Sequence, residues 1–184
     1  MRKAVFLDRD GVINKNVHHL NKVGQLKILP GAAKAIKDLN KLGFVVVVIT
    51  NQSVIANGLL TEKGLDEIHA VLIEQLTKRG AKIDKIYYCS HHPEGTLKKY
   101  AKDCLCRKPG IGLVRQAQKD FQLSTKGGFF IGDMTSDILT GRRAKLKTIL
   151  VKTGFAGTDG RHNITPDYVV KDLVGAVKII KKSL

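Results

Sequence analysis

Two carboxylates one residue apart, Asp8 and Asp10, stand at the end of a short apolar run and just before Gly11. Positions i and i+2 of an extended segment point to the same side, so both acids can face one site. Such neighbours repel unless a proton or a cation holds them, and a hard divalent ion such as Mg²⁺ suits oxygen ligands. A carboxylate can attack phosphorus to form an aspartyl-phosphate, which water then hydrolyses. A second carboxylate can serve as acid and then as base. Further along, Thr50-Asn51-Gln52-Ser53 offers small hydroxyl and amide groups suited to phosphate oxygens. Arg107-Lys108 supplies a planar fork and a point charge, and Asp133, with Asp137 in the helix turn after it, supplies a metal-binding acid. This inventory suits phosphoryl transfer, where positioning and charge neutralisation carry the catalysis.

The cysteines point to a second metal. All three lie between residues 89 and 106, as Cys89-Ser90-His91, twelve intervening residues, then Cys104-Leu105-Cys106. Two pairs of soft ligands suit tetrahedral Zn²⁺ in a closed Cys₃His site, with His92 as a rival to His91. Four protein ligands leave no open position for water, so the zinc would be structural. It would pin a loop of about 89–109 and fix Arg107 and Lys108 at the loop's end. Pro109 favours an extended Lys108.

The elements that must position these groups can be read from apolar periodicity. Ala4 to Leu7 reads as a buried parallel strand, which places Asp8 at its carboxyl end, where open α/β sheets bind ligands. Lys15 to Gln25 is a polar loop with His18 and His19 at its centre. Pro30-Gly31 opens a helix that Gly43 ends, and Phe44 to Ile49 is a second strand. Thr61 can cap a helix carrying Leu65, Ile68, Leu72 and Leu76, and Ile83 to Tyr88 is a third strand. A helix from about Gly110 to Phe121 precedes a fourth strand, Gly128 to Ile131. Asp137 falls in the first turn of the next helix. Thr148 to Val151, a short edge strand Tyr168 to Val170 and a helix Leu173 to Ile180 complete the chain. Regular alternation of strand and helix predicts a parallel, three-layer α/β sandwich. No repeat or linker divides it, so 1–184 is expected to be one domain.

Composition limits the alternatives. With 184 residues, 43% of them hydrophobic, the chain can bury a sizeable core. No apolar run approaches membrane-spanning length and the first strand begins too early for a signal peptide, which points to a cytoplasmic protein. The net charge of +16 implies affinity for anions, phosphorylated metabolites or nucleic acid, although the lysines are scattered as on solvated helix faces. Aromatic residues are 5% and tryptophan is absent, which argues against stacking platforms for single-stranded nucleic acid.

The segments DRDGVIN, ITNQS, CRKPG and IGDMTSDI resemble the four motifs of the haloacid dehalogenase-like phosphatases. The cysteine–histidine pattern narrows the resemblance to the branch of heptose bisphosphate and histidinol-phosphate phosphatases. The length of the metal loop is closer to the heptose type. The resemblance implies a Rossmann-like sandwich without a large cap domain, and a monomer acting on a phosphorylated small molecule, a sugar bisphosphate above all. It implies Asp8 as nucleophile, Asp10 as acid and base, and Thr50 and Lys108 on the phosphoryl group. Mg²⁺ would lie on the Asp8 side chain, the Asp10 carbonyl and Asp133, and Zn²⁺ on Cys89, His91, Cys104 and Cys106. Asn16, Val17, His18, His19, Asn51, Gln52, Ser53 and Arg107 would line the substrate site. Other sugar phosphatases, a nucleic-acid 3′-phosphatase and a non-catalytic anion-binding protein stand as alternatives. The chain departs from the family pattern at Met134, where lysine is common, and at Val54, Asn57 and His18-His19.

Overall fold

A computed structural model describes residues 2–17 and 19–184. Six strands form one parallel sheet: β1 (Arg2–Leu7), β2 (Val45–Asn51), β3 (Lys85–Cys89), β4 (Leu123–Gly132), β5 (Lys147–Val151) and β6 (Tyr168–Val170), in the order β3-β2-β1-β4-β5-β6. The chain runs outward from β1 through β2 to β3, then returns to β4 on the other side of β1. A crevice opens where this direction reverses, above the carboxyl ends of β1 and β4.

Side-chain alternation along the strands builds two cores. Val5 and Leu7 of β1 join Val46, Val48, Phe129 and Ile131 against α1 (Ala32–Lys41), α3 (Glu62–Thr77) and α6 (Leu173–Lys182). Ala4 and Phe6 point the other way, with Val45, Val47 and Phe130, against α4 (Gly112–Phe121). The next helix, α5 (Thr135–Arg143), packs closely on this face too, because Gly141 has no side chain to collide with Phe130 and Thr148. Strands buried on both faces need near-continuous apolar runs, which Val45–Ile49 supplies.

Thr61 caps α3 as expected, its hydroxyl accepting from Gly64 N–H at 3.0 Å. Gly43 closes α1 in a left-handed conformation, φ +80°. Three readings need correction. The fourth strand reaches back to Leu123, because Leu123 and Ser124 pair with Arg2 and Lys3 before a break in register. Gly127, at φ +75°, lies in that break and hid the earlier half from a pattern search. The turn after β2 contains a short helix, α2 (Ser53–Ala56), and the loop before α1 contains a 3-10 turn at Val23–Gln25. Among the described residues no helix is long and apolar enough to cross a membrane.

Candidate active site

Asp8 is the first residue beyond β1, and its N–H still continues the sheet ladder by donating to Ile131 O at 3.0 Å. Asp133 is the first beyond β4, the neighbouring strand, so the two acids are brought side by side. Gly11 and Gly154 pack against Asp133 so closely that a Cβ at either would collide with its carboxylate. Gly11 also needs its left-handed φ of +80° to turn the chain away from the site.

Asp8, Asp133 and Asp137 form a buried cluster whose ligand oxygens lie within 4.8 Å of one another. Lys108, 4% exposed, reaches into it, with Nζ 2.9 Å from Asp8 Oδ1 and 2.6 Å from Asp137 Oδ1. Burial alone would lower the Lys108 ammonium, but Asp137 and Asp8 outweigh it and hold its pKa above the ordinary value. Burial pushes Asp133 up, and the charges of Asp8 and Asp137 add to the push. Burial likewise raises Asp8, against the pull of Lys108. Three acids and one cation thus leave excess negative charge in a desolvated place. Asp133 Oδ2 accepts from Phe155 N–H at 2.7 Å, whereas Oδ1 is buried with no hydrogen-bond partner. An orphaned buried carboxylate oxygen beside two more acids fits a hard divalent cation.

Asp10 faces a different environment. Arg9, fully buried, grips its carboxylate through Nη2 at 2.8 Å to Oδ2, and Asn14 Nδ2 donates to Oδ1 at 2.8 Å. Gln52 Nε2 donates to Oδ2 at 3.0 Å and to Thr50 Oγ1 at 2.9 Å. Burial would raise Asp10, but the Arg9 charge and these hydrogen bonds win and hold its carboxyl below the usual range. Arg9 Nη2 also donates to Gln52 Oε1 at 3.0 Å, and Nη1 lies 3.0 Å from Nε2 of His69 on α3. A guanidinium can only donate, so Nε2 is the acceptor and the ring proton sits on Nδ1. Burial, then the charge of Arg9, lower the His69 pKa to about 3.

A cavity of about 340 Å³ opens over these groups. Asn16, Val17, His19, Asn51, Gln52, Ser53 and Arg107 all line it, as the sequence suggests; His18 lies outside the described residues. Two of them have internal work. The Gln52 amide is spent on Asp10, Thr50 and Arg9, and the Asn51 amide bonds both backbone groups of Lys108, at 3.0 and 3.1 Å. Sequence reasoning missed Arg9, His69 and the loop after β5, which brings Phe155 and Arg161 to the cavity. An arginine between two aspartates was the only available signal for the first, and contacts 60 residues away hid the second.

The sulfur cluster is partly assembled. Cys89 Sγ lies 3.4 Å from Cys104 Sγ and 3.9 Å from His91 Nδ1, and these three ligand atoms fall within 4.8 Å of one another. Cys106 is not in that group. His91 and not its rival is the histidine of the trio, since His92 turns to the cavity. Arg107 Nη1 donates to His91 O at 3.0 Å, which ties the loop to the site.

A heptose 1,7-bisphosphate 7-phosphatase of Pasteurella multocida is 38% identical over 183 residues, covering 98% of each chain. The chain belongs to the haloacid dehalogenase-like phosphatases. A family model described as HAD-hydrolase-like matches residues 105–176 of this phosphatase. The Escherichia coli K12 D-glycero-beta-D-manno-heptose-1,7-bisphosphate 7-phosphatase is 34% identical, covering 97% of this chain and 94% of its own. The crystal structure of the D,D-heptose 1,7-bisphosphate phosphatase from B. bronchiseptica, complexed with magnesium and phosphate, superposes with a TM-score of 0.88 at 29% identity, covering 99% of both chains.

Proposed function

We propose that this phosphatase removes one phosphate from a sugar bisphosphate, heptose 1,7-bisphosphate by its relatives, through an aspartyl-phosphate on Asp8, within a single domain. The observation that carries the reading is Lys108 set between Asp8 and Asp137 beside the orphaned oxygen of Asp133. The contacts to Asp8 from Lys108 and from Arg9 N–H, at 2.9 and 2.7 Å, both fall on Oδ1. That orients the carboxylate and leaves Oδ2 to attack phosphorus. The Asp8 O–P bond forms as the phosphorus–ester oxygen bond breaks, and the leaving oxygen takes a proton from Asp10. Water then attacks the same phosphorus and gives a proton to Asp10 as the phosphorus–Asp8 oxygen bond breaks, so the Asp8 carboxylate is restored and inorganic phosphate departs. Asp10 as held by Arg9 and Asn14 is a carboxylate, which is the state that accepts a proton from water. Donating one requires some of those bonds to be given up. Thr50 and Lys108 would hold the phosphoryl oxygens.

The Asp8 and Asp133 side chains and the Asp10 carbonyl would hold Mg²⁺, which when bound supplies neutralising charge at the phosphoryl group. The Asp137 carboxylate belongs to the same cluster and, through Lys108, balances it. Cys89, His91 and Cys104, with Cys106 drawn in on binding, would hold a structural Zn²⁺.

The test is phosphate release with Mg²⁺ from heptose 1,7-bisphosphate, histidinol phosphate, fructose 1,6-bisphosphate and a 3′-phosphorylated oligonucleotide, with Asp8→Asn as control. Preference for the heptose substrate, abolished by Asp8→Asn, is expected. Undiminished release from Asp8→Asn would remove the aspartyl-phosphate, and preference for another substrate would remove the heptose assignment.

A further inference from the structure

One buried polar ring takes no direct part in the reaction at Asp8. His69 lies on α3, whose Leu65, Ile68, Leu72 and Leu76 are also buried. Its ring sits 5.8 Å from that of Tyr88, tilted by 58°. Among the described residues His69 does not line the cavity. A buried imidazole needs a polar partner, and Arg9 supplies one, with Nη1 3.0 Å from Nε2. Because a guanidinium only donates, the ring serves here as a neutral acceptor.

Arg9 links this ring to both reacting acids. Its backbone N–H donates to Asp8 Oδ1 at 2.7 Å, and its carbonyl accepts from Ile13 and Asn14 N–H at 2.9 and 3.1 Å. Its guanidinium divides between two kinds of acceptor. Nε and Nη2 face the Asp10 carboxylate, whereas Nη2 also donates to Gln52 Oε1 and Nη1 to His69. The first acceptor changes in every turnover, because Asp10 exchanges a proton with the leaving oxygen and then with water. Its side chain is 23% exposed, and that of Arg9 is fully buried. While Asp10 is neutral, a buried guanidinium has lost its counter-ion and must be held by other acceptors. Gln52 is itself tied to Asp10, since its Nε2 donates to Asp10 Oδ2 and to Thr50. His69 is the acceptor that does not depend on Asp10.

We propose that His69 is a positioning residue for the acid and base Asp10: its Nε2 anchors the Arg9 guanidinium, which stays in place while Asp10 gives up and regains its proton. The proposal rests on the phosphatase reading above. His69 touches neither the substrate nor the reacting atoms and acts through Arg9. Without the anchor, Arg9 follows Asp10 as its pairing changes, and the carboxyl loses its aim at the leaving oxygen. The ring sits behind Arg9 and not in the cavity, so its removal acts on the chemical steps and not on substrate binding.

The experiment compares kcat and KM of the full-length protein with those of His69→Gln, His69→Asn and His69→Leu, with Mg²⁺ and the ester of the panel above that the unsubstituted protein hydrolyses fastest. A Gln oxygen can stand where Nε2 stands, an Asn oxygen is one methylene short, and Leu offers no acceptor. His69→Leu and His69→Asn should lower kcat about tenfold or more with KM within about twofold of wild type, and His69→Gln should stay within about threefold in both. Thermal melts establish that each variant is folded; if His69→Leu is not, the Asn–Gln comparison decides. Unchanged kcat in His69→Asn and His69→Leu, a loss in His69→Gln as large as in His69→Leu, or a rise in KM at constant kcat each overturns the positioning role while the phosphatase reading stands. Unfolding of both the Leu and the Asn variants would make the ring structural and overturn it too. Absence of release from every ester by the unsubstituted protein would overturn the phosphatase reading, and the positioning role with it.

Discussion

The side chain of Asn51 closes on the backbone of Lys108 from both sides, Nδ2 donating to its carbonyl at 3.1 Å and Oδ1 accepting from its N–H at 3.0 Å. A residue at the end of β2 therefore sets where the cation of a distant loop enters the acid cluster. Asn51→Ala removes both bonds, and about 2 kcal/mol of stability should go with them. Because Lys108 then loses its register against Asp8, kcat should fall about tenfold or more while the fold survives. A rise in KM at constant kcat would instead show that Asn51 serves the substrate directly.

Lys108 is the only cation in contact with the buried acids Asp8 and Asp137 among the described residues. Lys108→Met keeps the length of the side chain and removes the charge. Stability should drop by about 3–5 kcal/mol, because buried carboxylates are left unpaired. Urea denaturation reads this out; a midpoint equal to wild type would mean that the ion contacts carry no net stability. Added Mg²⁺ should recover part of the loss, since it neutralises the same cluster.

His69 offers a pH test. Its folded pKa is depressed from 6.5 to about 3 by burial and by Arg9. The unfolded chain therefore binds a proton between those values that the folded protein refuses. Stability associated with neutral His69 is complete above pH 6.5 and is lost as the pH falls toward 3, with a slope approaching about 1.4 kcal/mol per pH unit. His69→Gln keeps an acceptor for Arg9 and has no proton to gain, so its stability should decline less steeply with acid over this window. Parallel pH–stability curves for the two proteins would contradict the buried neutral ring.

The sulfur cluster predicts metal content. Purified protein should carry about one zinc per chain, and Cys104→Ser should lose it. A chelator should lower Tm and weaken substrate binding together, because Arg107 is hydrogen-bonded to His91 within the same loop. Fully folded, zinc-free protein of unchanged Tm would rule the structural metal out.

Much of this was legible in residue order. The apolar run Val45–Ile49 could only be a strand buried on both faces, and the glycine after α1 could only stop it. Asp8 and Asp133 were recognisable because each ends such a run, and strand ends are where parallel sheets bind ligands. The register break in β4 was not legible, because pairing of Leu123 with Arg2 depends on a partner strand over a hundred residues away. Nor was the division of labour within Thr50-Asn51-Gln52-Ser53. Two amides suited to phosphate are instead used on Lys108 and Asp10, a choice set by what packs above them.

The sequence by itself determined the parallel α/β sandwich, the carboxylates at the strand ends, and the cysteine–histidine spacing of the loop at 89–109, since these depend on local pattern and spacing. Tertiary structure alone decided which groups meet. It put Arg9 against His69, chose His91 over His92 for the sulfur cluster, and carried Arg161 to the cavity through the bonds of Asp133 and Asp159. The reason is physical: periodicity encodes which face of an element is apolar, but a buried charge takes its partner from whatever the assembled sheet and its loops bring within hydrogen-bond reach.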